Sequence, residues 1–145
     1  MTPQEPDEVP ADALGEAMGL VARRLRAAAL TALAAHDVTP SQVRAIRVLA
    51  GQGPGGVRAK ELAELLKIAP RSATEVVDAL EAKGVVRRSP DPADRRATRV
   101  ALTDRGRAVA EEVRRARAAE SERMFARLTT ADRADLARIL LKLQE

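Results

Sequence analysis

Apolar residues recur every three to five positions through much of the chain, which is the spacing of amphipathic helices. The first such stretch covers residues 11–36 and contains no proline. Its apolar face consists of Leu14, Met18, Val21, Leu25, Ala28, Ala29 and Leu33. Near the other end, a long and highly charged helix is predicted to begin after Thr103 and to run to about residue 127. A last helix is predicted after a cap at Thr129 or Thr130, with Leu136, Ile139, Leu140 and Leu143 on one face.

The middle of the chain is divided into shorter elements. Thr39, Pro40 and Gln42 have the spacing of a capping box and predict the start of a helix, which the glycine-rich residues 51–56 end. Two short helices follow, over residues 60–67 and about 70–83. Two short strands come next, over residues 85–88 and 98–102. Because a tight turn joins the helices and a turn-rich loop joins the strands, this segment is predicted to be a helix–turn–helix followed by a β-hairpin.

Composition narrows the classes of function. The 145 residues are enough for one domain with a packed core. Cysteine is absent, His36 is the only histidine and Phe125 the only aromatic residue, which argues against cysteine-ligated metals, thiolate chemistry and aromatic base-stacking platforms. Without a metal motif, a phosphate loop or a nucleophile–base constellation, we expect no cofactor, no metal and no enzyme activity. No stretch approaches the roughly 20 apolar residues of a membrane span, so a cytoplasmic protein with no membrane partner is expected.

Charge is distributed unevenly along the chain. The net charge is +4, but residues 1–12 hold four carboxylates and no lysine or arginine, so the remaining residues carry +8. The prolines and acidic residues of positions 1–10 predict a flexible acidic arm. A basic body indicates a polyanionic partner, and a solvated basic surface is the alternative.

The second helix of the helix–turn–helix is suited to the major groove of DNA, which admits an α-helix. One of its faces is apolar, at Ala73, Val76, Val77 and Leu80. The candidate recognition residues on the other face are Pro70, Arg71, Ser72, Thr74, Glu75 and Asp78. Arg71 suits a guanine edge or a phosphate, and Glu75 can accept from the amino group of cytosine. Taken alone, these two helices are equally compatible with an ordinary helical core.

The hairpin, which we call the wing, adds a second candidate surface. Arg95 and Arg96 lie at its tip, where a guanidinium can reach an adjacent minor groove. The candidate DNA-binding residues of the wing are Arg88, Asp94, Arg95, Arg96 and Arg99. A solvated turn is the alternative for the tip alone. A winged-helix module that binds protein rather than DNA is the alternative for the whole domain, and the paired arginines argue against it.

Three motifs between about Thr39 and Gly106 resemble the DNA-binding core of the MarR family of bacterial transcriptional regulators. They are L-E-A-K-G-V-V-R-R ending at Arg88, D-P-A-D-R-R ending at Arg96, and L-T-D-R-G ending at Gly106. The resemblance implies a mainly α fold with a small β-hairpin wing, in which residues 39–102 form a winged helix–turn–helix lobe. Residues 11–38 and 103–145 would supply the helices of a homodimer that binds a pseudo-palindromic operator, usually as a repressor.

The resemblance also implies roles for individual residues. Asp94 would pair with Arg96 and direct it into the minor groove. Members of the family often bind small aromatic acids between the dimerisation helices and the DNA-binding lobe, and Arg23 and Arg26 are the candidate contacts for such an anionic effector. A repressor without an effector is the alternative. Two residues depart from the family pattern: Glu75 replaces a basic or neutral residue, and Arg58 replaces the usual serine or threonine cap.

Overall fold

Six α-helices and a three-stranded antiparallel sheet make up residues 9–144, the part of the chain that the computed structural model describes. The elements are α1 (Ala11–Ala32), α2 (Pro40–Ala50), β1 (Val57–Arg58), α3 (Ala59–Leu66), α4 (Pro70–Ala82), β2 (Val86–Pro90), β3 (Thr98–Leu102), α5 (Asp104–Phe125) and α6 (Thr130–Lys142). The mainly helical fold predicted from the sequence is confirmed. The predicted acidic arm, residues 1–10, lies almost wholly outside the described residues.

Threonine caps set the starts of three helices, as the sequence signals indicate. At α2 the capping box is formed, because Thr39 and Gln42 each donate a backbone N–H to the other's side-chain oxygen at 3.3 Å. Thr103 accepts from the backbone of Gly106 at 3.0 Å and begins α5. Of the two threonines proposed for α6, Thr129 is the cap, accepting from the backbone of Asp132 at 3.2 Å.

The structure differs from the predicted elements at three places. The first helix ends at Ala32 rather than at residue 36, and a 3-10 turn (Ala34–His36) leads to Asp37, whose φ of 48° reverses the chain. β2 runs on to Pro90 instead of ending at residue 88. β1 was not predicted, because two residues are too short to show an alternating pattern; it pairs with β3 through Val57 and Val100.

The core lies in the lobe formed by α2, α3, α4 and the sheet, whose strand order is β1-β3-β2. α5 joins this core through Val109 and Val113, and α1 packs along α5 and contributes Ala29 and Leu33. Gly106 lets the start of α5 approach the sheet, since a Cβ atom there would lie 2.0 Å from the carbonyl oxygen of Val85. This close approach gives a physical reason for the glycine in the L-T-D-R-G motif.

Both terminal helices expose apolar side chains in the isolated chain. On α1 these are Leu14, Met18, Leu20 and Val21, and towards the end of the chain they are Ile139, Leu140, Leu141 and Leu143. α6 contributes no buried residue at all. Within residues 9–144, no helix is both long and apolar enough to cross a membrane.

Candidate nucleic-acid interface

α4 presents the polar face that the sequence predicts. A left-handed residue, Lys67, ends α3 at φ 54°, and Pro70 occupies the first turn of α4. The apolar positions Ala73, Val77 and Leu80 are buried, as predicted, and Val76 is half-buried. All six candidate recognition residues are exposed: Pro70, Arg71, Ser72, Thr74, Glu75 and Asp78.

Two of the exposed side chains face each other across one helical turn. Nε of Arg71 lies 3.7 Å from Oε1 of Glu75, and the two side chains are 93% and 71% exposed. An exposed pair at this separation contributes little to stability. Arg71 can therefore leave Glu75 for a base or a phosphate, and Glu75 can accept from the amino group of a base. Thr74 is more constrained, because its hydroxyl donates to the carbonyl oxygen of Pro70 at 3.0 Å.

Asp78 and Arg88, two of the candidate DNA contacts, bind each other. Arg88 donates from Nη2 to Asp78 at 2.6 Å and from Nη1 to Glu81 at 3.0 Å. Its backbone N–H also donates to Glu81, at 3.1 Å. These bonds fix α4 against β2, and the Arg88 guanidinium partly neutralises the carboxylates of Asp78 and Glu81. Sequence reasoning did not identify Glu81, which has no feature that separates it from an ordinary exposed glutamate.

The wing tip holds an ion pair between Asp94 and Arg96. Oδ1 of Asp94 accepts from the backbone of Arg96 at 3.1 Å and from its Nε at 3.3 Å. The Arg96 side chain is nevertheless 94% exposed, and within residues 9–144 its Nη atoms have no hydrogen-bond partner. Asp94 therefore orders the turn while the end of the guanidinium extends into solvent. Arg95, its neighbour, is also exposed.

Asp91 anchors the base of the wing, a role that the sequence did not reveal. Its carboxylate is 2% exposed and accepts from Arg58 at 2.9 Å and from Arg99 at 3.0 Å. It also accepts from the backbone of Ala93 and of Asp94, at 2.8 and 3.1 Å. The bonds from Arg58 first, and then those from Arg99, hold the pKa of Asp91 well below its ordinary value. The D-P-A-D sequence was the available signal, since an Asx turn begins with such an aspartate.

Arg58 and Arg99, both half-buried, thereby serve as internal partners of a buried carboxylate. Besides Asp91, Arg99 binds the carbonyl oxygens of Gly55 and Gly56 at 3.0 and 2.7 Å, so this candidate DNA contact joins β3 to the loop before β1. Arg58 replaces a helix-capping serine or threonine, and its side chain makes no capping bond. Glu61 accepts from the Arg58 backbone at 3.1 Å instead, which leaves the guanidinium free for Asp91.

Two cavities that share Arg47 and Arg117 lie beside α5, away from the wing tip. The larger, of about 530 Å³, opens between α2, the loop after it and α5. The smaller, of about 310 Å³, opens between α1, α2 and α5. Of the two arginines predicted to bind an effector, Arg26 lines the smaller cavity, whereas Arg23 lines neither. Phe125 lines neither of them and lies instead between α5 and α6.

Comparisons with known proteins agree with this geometry. The sequence model of the MarR family matches residues 36–97, which include α4 and the wing tip. The HTH-type transcriptional repressor MdtR of Bacillus subtilis is 31% identical over 116 residues, covering 80% of this chain and 74% of that protein. The crystal structure of RV1404 from Mycobacterium tuberculosis has a TM-score of 0.81 at 30% identity and covers 97% of both chains. Apo MarR from E. coli shares the fold, with a TM-score of 0.77 at 23% identity over 97% of this chain and 100% of that one. The predicted winged helix–turn–helix fold is thus confirmed.

Proposed function

We propose that this chain, which belongs to the MarR family of transcriptional regulators, represses transcription as a homodimer bound to a pseudo-palindromic operator. The observation that carries the proposal is the joint exposure of two different surfaces, the polar face of α4 and the guanidinium of Arg96. Members of this family are regulators, so we do not propose an enzyme activity. The proposed DNA partner also agrees with a cytoplasmic location.

The exposed apolar residues support the homodimer. An isolated chain would leave the stripes of α1 and of the last helix in water, and exposed patches of this kind mark interaction surfaces. A second copy of the chain would cover them and would also supply the second recognition helix. Two half-sites about one helical turn apart require two such helices.

A winged-helix module that binds protein is the second candidate function. Its supporting observation is the acidic character of α4, which has one arginine and three carboxylates among its residues. The exposed arginines of the wing favour DNA over this alternative, because a protein-binding module has no need of a basic tip. The decision between the two rests on whether α4 reads bases.

Selection of binding sites from randomised duplexes tests the proposal directly. The wild type, Arg71→Ala and Glu75→Ala are each allowed to select sequences at the same salt concentration. Removing Glu75 should change the preferred sequence more than the affinity, because a carboxylate near phosphates is unfavourable unless it meets a cytosine amino group. Removing Arg71 should lower the affinity, and the salt dependence should weaken only if its partner is a phosphate.

Two results would contradict this proposal. Selection of no sequence by the wild type would favour the protein-binding alternative. Recovery of the same motif by all three proteins would show that α4 does not read bases, and the assignment of residues 70–78 would fall. Arg115→Ala is the control for the selection, since it removes an exposed, carboxylate-paired arginine of α5 and leaves the exposed face of α4 unchanged.

Release from the operator by a small anionic effector is the last part of the proposal. The cavities beside α5 support it, since one of them brings Arg26 together with arginines of α2 and α5. The sequence-based candidate Arg23 receives no such support. An aromatic effector would find no ring to stack on in either cavity, because no aromatic residue lines them.

A further inference from the structure

We propose that a multiply charged oxyanion binds where the two cavities meet. Its central contacts would be Arg47 and Arg117, which line both cavities. The ligand class is an organic phosphate or a di- or tricarboxylate, which share two or more negatively charged oxygens. This inference rests on the proposed effector control and makes it specific. It differs from the aromatic monoacid that the family resemblance implies.

The position of the site follows from the residues that line the two cavities. Arg47 of α2 and Arg117 of α5 line both cavities, so these two residues are shared between them. The smaller cavity adds Arg26 and Arg44, and the larger adds Arg107 and Arg114. Arginines therefore converge on one region from three different helices.

The positive charge in this region is only partly neutralised by the protein. Glu111 is the one carboxylate that lines the cavities, and its oxygens accept from Arg114 and Arg115 at 2.7 to 3.0 Å. Within residues 9–144, no carboxylate lies within ion-pair distance of Arg44, Arg47 or Arg117. Burial first, and then the charges of Arg117 and Arg44, lowers the pKa of Arg47 from its ordinary value. An anion bound between these groups would remove that unfavourable interaction.

The lining also determines the class of anion. Apart from the arginines, the smaller cavity is lined mainly by small or aliphatic residues, among them Ala29, Leu30 and Val43. With no aromatic ring to stack on, affinity must come from charge and from paired N–H···O bonds, which guanidinium groups form with carboxylates and phosphates. A monocarboxylate neutralises one arginine, whereas a multivalent anion can bridge Arg47 and Arg117.

Isothermal titration calorimetry without DNA tests the inference. Pyrophosphate, citrate and benzoate are titrated into the wild type and into Arg47→Gln, Arg117→Gln and Arg23→Gln, at constant ionic strength. Pyrophosphate or citrate should bind the wild type once per chain, at least about tenfold more tightly than benzoate. Loss of the charge-assisted bonds of either central arginine should weaken binding by about tenfold or more. Arg23→Gln is the matched control and should bind like the wild type, because Arg23 lines neither cavity.

Three outcomes would overturn the inference: no binding of either multivalent anion, equal binding by the wild type and both central variants, or tighter binding of benzoate. Thermal unfolding verifies that each variant is folded. If Arg47→Gln does not fold, anion binding by Arg117→Gln alone tests the inference. Operator binding is measured separately on the same proteins. Intact operator binding without anion binding refutes only this site, whereas a wild type that binds no operator refutes the proposed function.

Discussion

Replacing Arg96 with alanine separates DNA binding from folding. The side chain is 94% exposed, and its one hydrogen bond within residues 9–144 is the 3.3 Å bond from Nε to Asp94. Its removal leaves no cavity and no buried unpaired group, so the free energy of unfolding should stay within about 0.5 kcal/mol of the wild type. Within residues 9–144 neither Nη atom makes a hydrogen bond, so both are available to a groove.

The expected loss of operator affinity follows from this geometry. One good groove contact contributes about 1–3 kcal/mol, which corresponds to roughly 5- to 150-fold in Kd. The proposed homodimer presents two wings, and contacts at distant sites are nearly additive. The dimer should therefore lose about 2–6 kcal/mol of binding free energy when both wings carry the substitution.

Fluorescence anisotropy with a labelled operator measures this loss at a fixed salt concentration. Arg115→Ala is the matched control, since Arg115 is also an exposed arginine paired with a carboxylate, at 3.0 Å from Glu111, but lies on α5. Equal affinity for Arg96→Ala and the wild type would show that the wing stays off the DNA. An equal loss in both variants would mean that general basicity, and not the wing contact, supplies the affinity.

Three further predictions test the anchor of the wing, the start of α5 and the dimer. Asp91→Asn should lower the melting temperature at neutral pH, because Arg58 and Arg99 would lose their shared carboxylate. Since folding lowers the pKa of Asp91 from about 3.8, its stabilising contribution is present at neutral pH and is lost on acidification, so melting curves of the two proteins should converge towards low pH. Gly106→Ala should destabilise the fold by about 1–3 kcal/mol in urea unfolding, since the new Cβ would lie 2.0 Å from a carbonyl oxygen; an unchanged midpoint would contradict the close approach. Leu140→Glu should shift the sedimentation mass from twice 15.5 kDa to the mass of one chain, whereas the control Lys142→Glu should leave it dimeric; a variant that remains a dimer would exclude this face.

The elements that could be predicted are those whose signals are local. Caps such as Thr39 and Thr103 act on residues three positions away, and the periodic apolar faces of α1 and α4 are visible within a few turns. Asp91 binds Arg58 from a position 33 residues further along the chain, and no sequence period reveals such a pair. The same limit explains why Arg88 and Arg99 were candidates for DNA contacts, since an arginine has the same appearance in a sequence whether it meets a phosphate or a carboxylate of its own chain.

The choice between Arg23 and Arg26 shows a second limit. Side chains three residues apart leave a helix only about 60° apart and on the same side, so the directions of the Arg23 and Arg26 guanidinium groups differ too little for the sequence to separate them. Which direction meets α2 depends on how α1 packs along α5, and this is a tertiary property. The arginines that complete the smaller cavity, Arg44 and Arg47, lie on α2, for which the sequence analysis considered only where the helix starts and ends.

The charges of the candidate interface indicate different roles for α4 and the wing, with α4 setting the sequence preference and the wing supplying affinity. α4 carries one arginine and three carboxylates, so by itself it would be repelled by DNA phosphates. The charge of Arg88 partly neutralises the carboxylates of Asp78 and Glu81. The charge of Arg71 is neutralised by Glu75. Electrostatic attraction must therefore come from outside α4, and the exposed arginines Arg95 and Arg96 at the wing tip can supply it. It follows that substitutions in the wing should change affinity for all sequences alike, whereas substitution of Glu75 in α4 should change which sequence is preferred.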